Sequence, residues 1–132
     1  MTSAKQTGAP FEVVSPLGRS TVIRVAARER LPEPSGKTIG FVWDNVFRGD
    51  EIFPLVQEAL VQRHPDLHFV DYAEFGNIHG QDEPAVVAAL PDRLKEKGVD
   101  AAIIGIGGCG TCTPAVMRAC ATVERAGIPT FT

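Results

Sequence analysis

Cysteine is scarce: the 132 residues hold three, an odd number, which argues against a disulfide framework and favours thiols kept for chemistry. Positive charge is not in excess. A net charge of −3 at pH 7 argues against a nucleic-acid partner, since no basic patch dominates. Long apolar runs are missing too; none approaches the roughly 20 residues of a membrane span. Met1 to Pro10 lacks the apolar core of a signal peptide. These absences together point to the cytoplasm, where thiols stay reduced. Metal ligands are also sparse: there is no second C-x-x-C, and the one H-x-x-x-H spacing, His64 to His68, contains Pro65, which divides a helix end from a strand. A metal site is therefore disfavoured, and no cofactor is implied.

What remains is an ordinary globular composition, 44% apolar and 22% charged, at a length that suits one domain. Residues 1–36 read as tail, arm and linker: a small polar start, a short extended piece at Phe11–Val14, a turn at Ser15–Gly18, an edge-strand pattern at Ser20–Val25, then a stretch with Pro32 and Pro34. Residues 37–132 read as an α/β domain. Lys37–Trp43 is a buried strand. A helix follows from Gly49-Asp50, with Asp50 as N-cap and Phe53, Val56, Leu60 and Val61 at helical spacing. Leu67–Tyr72 is the second strand, and Ala73–Glu83 a long polar loop. Pro84–Lys97 is the second helix, which Pro91 should kink or restart, with Gly98 at its end. Val99–Ile106 is apolar throughout, as in a strand covered on both faces. The third helix spans about Pro114 to Arg125 with Thr113 as N-cap, and Ile128–Phe131 is the fourth strand. The alternation β-α-β-α-β-α-β predicts a three-layer, flavodoxin-like parallel sheet of order 2-1-3-4. Ligands then bind where the order reverses, between the loop carrying Asp44 and Asn45 and the loop carrying Cys109 to Thr113.

Cys109-Gly110-Thr111-Cys112 joins an apolar strand to a helix. A thiol at a helix N-terminus meets unpaired N–H groups and the positive end of the helix dipole, which favours the reactive thiolate. A second cysteine three positions on can release a mixed intermediate as a disulfide. Cys109, at the strand's end, is the candidate nucleophile, and Cys112 the resolving thiol. Gly108 and Gly110 bracket the first thiol and suit close approach of a ligand. The competing reading is two small buried residues beside a tight turn. A thioredoxin fold is disfavoured, because little chain follows Cys112. Gly105, Gly107 and Gly110 also satisfy G-x-G-x-x-G, but Thr130 to Thr132, where a dinucleotide site wants an acid, holds none; the loop can still cradle an anion. Cys120 reads as core. Thr111 and Thr113 flank the thiols as binding candidates. His79 is either an acid–base group or a solvated loop residue, Asp44 either orients a substrate or caps a turn, and Arg48 either pairs with a carboxylate or is a surface charge.

G-I-G-G-C-G-T-C-T, between an apolar strand and a helix ending in E-R-A-G-I-P-T, resembles the family named for its UGSC motif, whose members carry selenocysteine or cysteine at the first motif position. V-V-S-P-L-G, a spacer and S-G-K-T-I-G-F-V-W-D-N resemble that family's opening. The motif is also similar to a segment of the selenoprotein B component of glycine, sarcosine and betaine reductases. The resemblance implies that Cys109 takes the selenocysteine place, Cys112 that of the motif cysteine, and Asp44-Asn45 that of the Asp-Asn pair. In the reductase component it implies attack on a carbon next to a leaving amine. A further cysteine of that component corresponds to Ala115 here, a departure from full reductase chemistry. Family members continue past the fourth strand, so a partner subunit or a second copy is expected to complete the fold.

The expectation is a thiol-dependent enzyme, a reductase or bond-cleaving type, acting on a small molecule as one subunit of an oligomer. The alternatives are a non-catalytic, redox-responsive subunit and a racemase or lyase with acid–base thiols, although one C-x-x-C corner hardly reaches both sides of a substrate.

Overall fold

The computed structural model describes residues 26–132; the extended pieces expected at Phe11–Val14 and Ser20–Val25 lie outside them. The strands are β1 (Thr38–Trp43), β2 (His68–Val70), β3 (Ala101–Gly105) and β4 (Thr130–Phe131); the helices are α1 (Gly49–Arg63), α2 (Glu83–Glu96) and α3 (Cys112–Arg125). The sheet is parallel throughout, in the order 2-1-3-4. In register, Val42 stands beside Ile104 and Trp43 beside Gly105, so β1 and β3 end level at their carboxyl edge.

Strand side chains alternate between faces and build two apolar layers. Val42, Ala102 and Ile104 pack with Val87, Leu90 and Leu94 of α2 and Val116, Ala119, Cys120 and Val123 of α3. On the opposite face Ile39, Ala101 and Leu67 gather Leu31, Leu60, Phe69 and Ile103, while the ring of Phe41 lies 5.0 Å from that of Phe53 on α1. Past α1 this second face opens into an apolar groove of about 500 Å³ beside Ile103 and Phe131.

Several local expectations shift. α1 has Arg48, in the left-handed region at φ 55°, at its N-cap with no side-chain cap, and Asp50 sits inside the first turn. The cause is Trp43. Its indole N–H donates to the Val46 carbonyl at 2.8 Å, and its ring lies so close over Gly49 that a Cβ there would stand 2.3 Å from Nε1. Only glycine fits beneath the ring, so the helix starts at Gly49. α2 runs unbroken through Pro91: the helix lacks one N–H donor there, but Val87, Leu90 and Leu94 hold that face in the core. Gly98, at φ 68°, follows the end of α2 as expected. α3 starts two residues earlier than its sequence suggests. Thr111, not Thr113, is at the N-cap position, and Pro114 falls within the first turn, where no N–H is required. The expected polar loop after β2 contains two fully buried side chains, Phe75 and Ile78. Its backbone is held by the Arg93 guanidinium on the Phe75 carbonyl (3.0 Å) and by the Ile78 amide on the Trp43 carbonyl (3.2 Å).

The described residues before β1, 26–37, form no helix or strand yet are fastened to the sheet by Glu124, which is 6% exposed. Its Oε1 accepts from Thr130 N (2.7 Å), Thr130 Oγ1 (3.0 Å) and Arg30 Nη1 (3.0 Å), and its Oε2 from the Arg28 amide. Burial pushes this carboxyl up, but the bonds from Arg28 and Thr130 and the charge of Arg30 outweigh burial and hold it below its ordinary value. A depressed folded pKa places the stabilisation above the unfolded value of about 4.3 and removes it as pH falls through the folded one. Glu124→Ala should cost about 2–3 kcal/mol in urea unfolding, because the Thr130 amide loses its partner in a buried site. The stability gap between wild type and Glu124→Gln should shrink as pH is lowered below about 4.

Candidate functional site

The carboxyl edge of β1 and β3 brings two loops together. Asp44 leaves β1 with its amide donating to the Gly105 carbonyl (3.1 Å), and its Oδ1 accepts from the Ile106 amide at 2.8 Å. The residue is 1% exposed, and among the described residues its buried Oδ2 has no hydrogen-bond partner. A buried carboxylate oxygen left open is costly unless a donor reaches it, so this atom is poised to accept from a ligand.

After Ile106 the chain turns through Gly107 and Gly108 into the sulfur pair. A Cβ on Gly107 would stand 2.7 Å from the Thr113 backbone, so the loop lies against the first turn of α3 only because that side chain is missing. Cys109 and Cys112 are joined in a disulfide, with Cα atoms 5.4 Å apart. Their environments differ. Cys112 opens the buried stripe of α3 and is 0% exposed, whereas Cys109 precedes the helix and is exposed. Each sulfur accepts the other residue's amide: Cys112 N donates to Cys109 Sγ at 3.1 Å, and Cys109 N to Cys112 Sγ at 2.9 Å. Thr111 Oγ1 lies 3.4 Å from Cys109 Sγ, and the Thr113 amide donates to the Cys109 carbonyl (3.2 Å). The outer sulfur thus has an amide, a hydroxyl and a helix N-terminus, all of which stabilise negative charge.

The remaining candidates divide. Asn45 is exposed beside Asp44 in the left-handed region at φ 56°, and Gly110 faces open space. Arg48 is engaged in a surface ion pair with Glu51, its Nε donating at 2.8 Å. His79 Nδ1 is 3.5 Å from Glu83 Oε2 and is buried with no hydrogen-bond partner among the described residues, while Glu83 accepts from Arg118 Nε at 2.9 Å, which links α2 to α3. The Arg118 hydrogen bond and charge, helped by His79, hold the Glu83 carboxyl below its ordinary value against partial burial. Cys120 is buried in the core, and burial pushes its thiol up. Sequence reasoning missed Phe47: its ring atoms lie 3.0–3.2 Å from where a Cβ on Gly108 would stand, and it is 47% exposed. An aromatic two residues after the Asp-Asn pair was the only available signal. No group of three or more potential metal ligands occurs among the described residues, and none of their helices is long and apolar enough to cross a membrane.

Asp44→Ala should lower stability by about 1–3 kcal/mol, since the Ile106 amide loses its acceptor. Hydrogen exchange at Ile106 should speed up in that variant while exchange in α2 is unchanged; unaltered exchange at Ile106 would show that the bond does not hold the loop.

No curated protein and no solved structure matches this chain. The model of the UGSC family matches residues 12–132, which takes in the Asp-Asn turn, the glycine loop and both sulfurs of the site. With all of the site and most of its length inside that match, the chain belongs to the UGSC family.

Proposed function

We propose that the protein is a thiol-dependent enzyme that reductively cleaves a C–N, C–S or similar bond in a small molecule. The observation that carries this reading is the asymmetry of the sulfur pair: one sulfur is exposed at the helix N-terminus and the other is enclosed beside it, close enough for the two to be joined. In the reduced protein, the Cys109 thiolate attacks the carbon that bears the leaving group. A C–S bond forms, the C–N or C–S bond of the substrate breaks, and the leaving group departs with the electron pair and takes up a proton. The Cys112 thiolate then attacks Cys109 Sγ. The disulfide forms, the substrate carbon leaves with its electron pair and is protonated, and the two thiols have supplied the two electrons. A dithiol reductant is needed to return the pair to the thiol state. Asp44 Oδ2 is suited to hold a hydrogen-bond donor of the substrate beside this chemistry.

Family membership and the joined cysteines are compatible with thiol redox chemistry. The similarity of the motif to the selenoprotein B component supports attack on carbon, and Ala115 in place of that component's further cysteine marks a difference in the later steps. A second reading, a redox-responsive subunit without catalysis, is favoured by the disulfide itself. The proposal includes association with a second polypeptide; a stable, active monomer in sedimentation would remove that part.

Alkylation distinguishes the two readings. In reduced protein near neutral pH, iodoacetamide should modify Cys109 well before Cys120 and faster than free cysteine, because the thiolate is stabilised. Cys109→Ser should abolish the fast phase. Cys112→Ser should retain a substrate adduct on Cys109, detectable by intact mass after exposure to candidate substrates. Labelling of Cys109 no faster than free cysteine would favour the redox-responsive subunit.

A further inference from the structure

Phe47 has a role that neither the family nor the sulfur chemistry assigns. Its backbone is held at φ 58°, in the left-handed region between the similarly turned Asn45 (φ 56°) and Arg48 (φ 55°). A bulky side chain rarely adopts that conformation, and it persists only where its surroundings impose it. Here the surroundings are visible. The Trp43 indole grips the Val46 carbonyl on one side of Phe47 and closes over Gly49 on the other, which leaves the chain between them one tight path. On that path the Phe47 ring is laid against Gly108, the residue before Cys109, and nearly half of it faces solvent. The α1-side aromatics Phe41, Phe53, Trp43 and Tyr72 pack on one another, whereas no ring partner of Phe47 occurs among the described residues.

We infer that Phe47 is a specificity-determining residue, an apolar wall beside the exposed sulfur that selects substrates carrying an aromatic or other flat apolar group next to the electrophilic carbon. An exposed aromatic face laid against the sulfur loop presents a ready surface for stacking. A Cβ at Gly108 would stand only 3.0 Å from the ring, so the glycine lets Phe47 sit this close to the sulfur loop without being pushed aside. Asp44 supplies the opposite quality, a buried polar acceptor, so the two sides of the loop distinguish the apolar and the hydrogen-bonding parts of a ligand. The inference rests on Cys109 being the reactive thiol.

The test uses two electrophiles with the same reacting carbon, iodoacetamide and N-benzyl-iodoacetamide, on the reduced full-length protein. The readout is the ratio of their alkylation rates at Cys109 by peptide mass spectrometry, corrected by the same ratio for free cysteine, so that general changes in thiol reactivity cancel. Wild type should prefer the benzyl reagent by roughly two- to tenfold, the range of an aromatic pair. Phe47→Asn, which tolerates the left-handed backbone while removing the ring, should bring the ratio to about one, and Phe47→Tyr should keep the preference. A ratio of about one in wild type, or an unchanged preference in Phe47→Asn, would overturn the assignment of Phe47 while leaving the thiol reading intact. Failure of both reagents to modify Cys109 would instead remove the thiol reading and this inference with it.

Discussion

One hydrogen bond, from the Ile106 amide to Asp44 Oδ1, joins the two loops on which the site is built. It is possible because β1 and β3 are parallel neighbours that end level, with Trp43 opposite Gly105. In a parallel sheet the chain leaves both strands at the same edge, so a side chain one residue beyond β1 meets a backbone amide one residue beyond β3. The bond satisfies one carboxylate oxygen and leaves the other buried and open. A carboxyl group placed this way is part of the scaffold and, at the same time, offers the crevice a buried oxygen with no partner among the described residues.

The difference between the two sulfurs follows from where α3 begins. The buried residues of α3 fall at 112, 115, 116, 119, 120, 123 and 124, a helical stripe whose first member is Cys112 itself. The inner thiol is therefore a core position, and the outer one lies just before the helix, where the free amides are. Chemistry that needs an accessible sulfur and a sheltered one beside it obtains both from a single helix start. Gly107, pressed on Thr113, keeps the incoming loop close enough for this to work.

The opposite wall has a different physical origin. Trp43 ends β1 with an aromatic that cannot pass into the apolar layers without leaving its indole N–H unpaired, so the N–H takes the Val46 carbonyl and the ring covers Gly49. That contact drives three non-glycine residues into the left-handed region. The loop is thereby confined to a tight path where an ordinary turn would suffice for connectivity, and it carries Phe47 to the sulfur loop. Farther away, Glu124 performs an analogous task for the segment before β1, with a buried carboxylate that gathers donors from two distant parts of the chain.

The alternation of apolar strands with helical periodicity determined the α/β class and the parallel order 2-1-3-4, because hydrophobic period and crossover handedness leave few other arrangements. The motif placed the sulfur pair at a strand–helix corner, and the family followed from the same residues. Tertiary structure alone decided the rest. Arg48 is held by Glu51 three residues on, and His79 has its Nδ1 buried 3.5 Å from Glu83 with no hydrogen-bond partner among the described residues; neither arrangement is visible to a motif. The polar stretch after β2 concealed Phe75 and Ile78 as core, since two apolar residues show no period. Phe47 reached the site through a tryptophan contact and a glycine that no periodicity predicts. The sequence specifies which segments meet, through repeated patterns of burial, whereas the placement of a single side chain depends on steric and hydrogen-bond contacts between residues distant in the chain, and those exist only once it has folded.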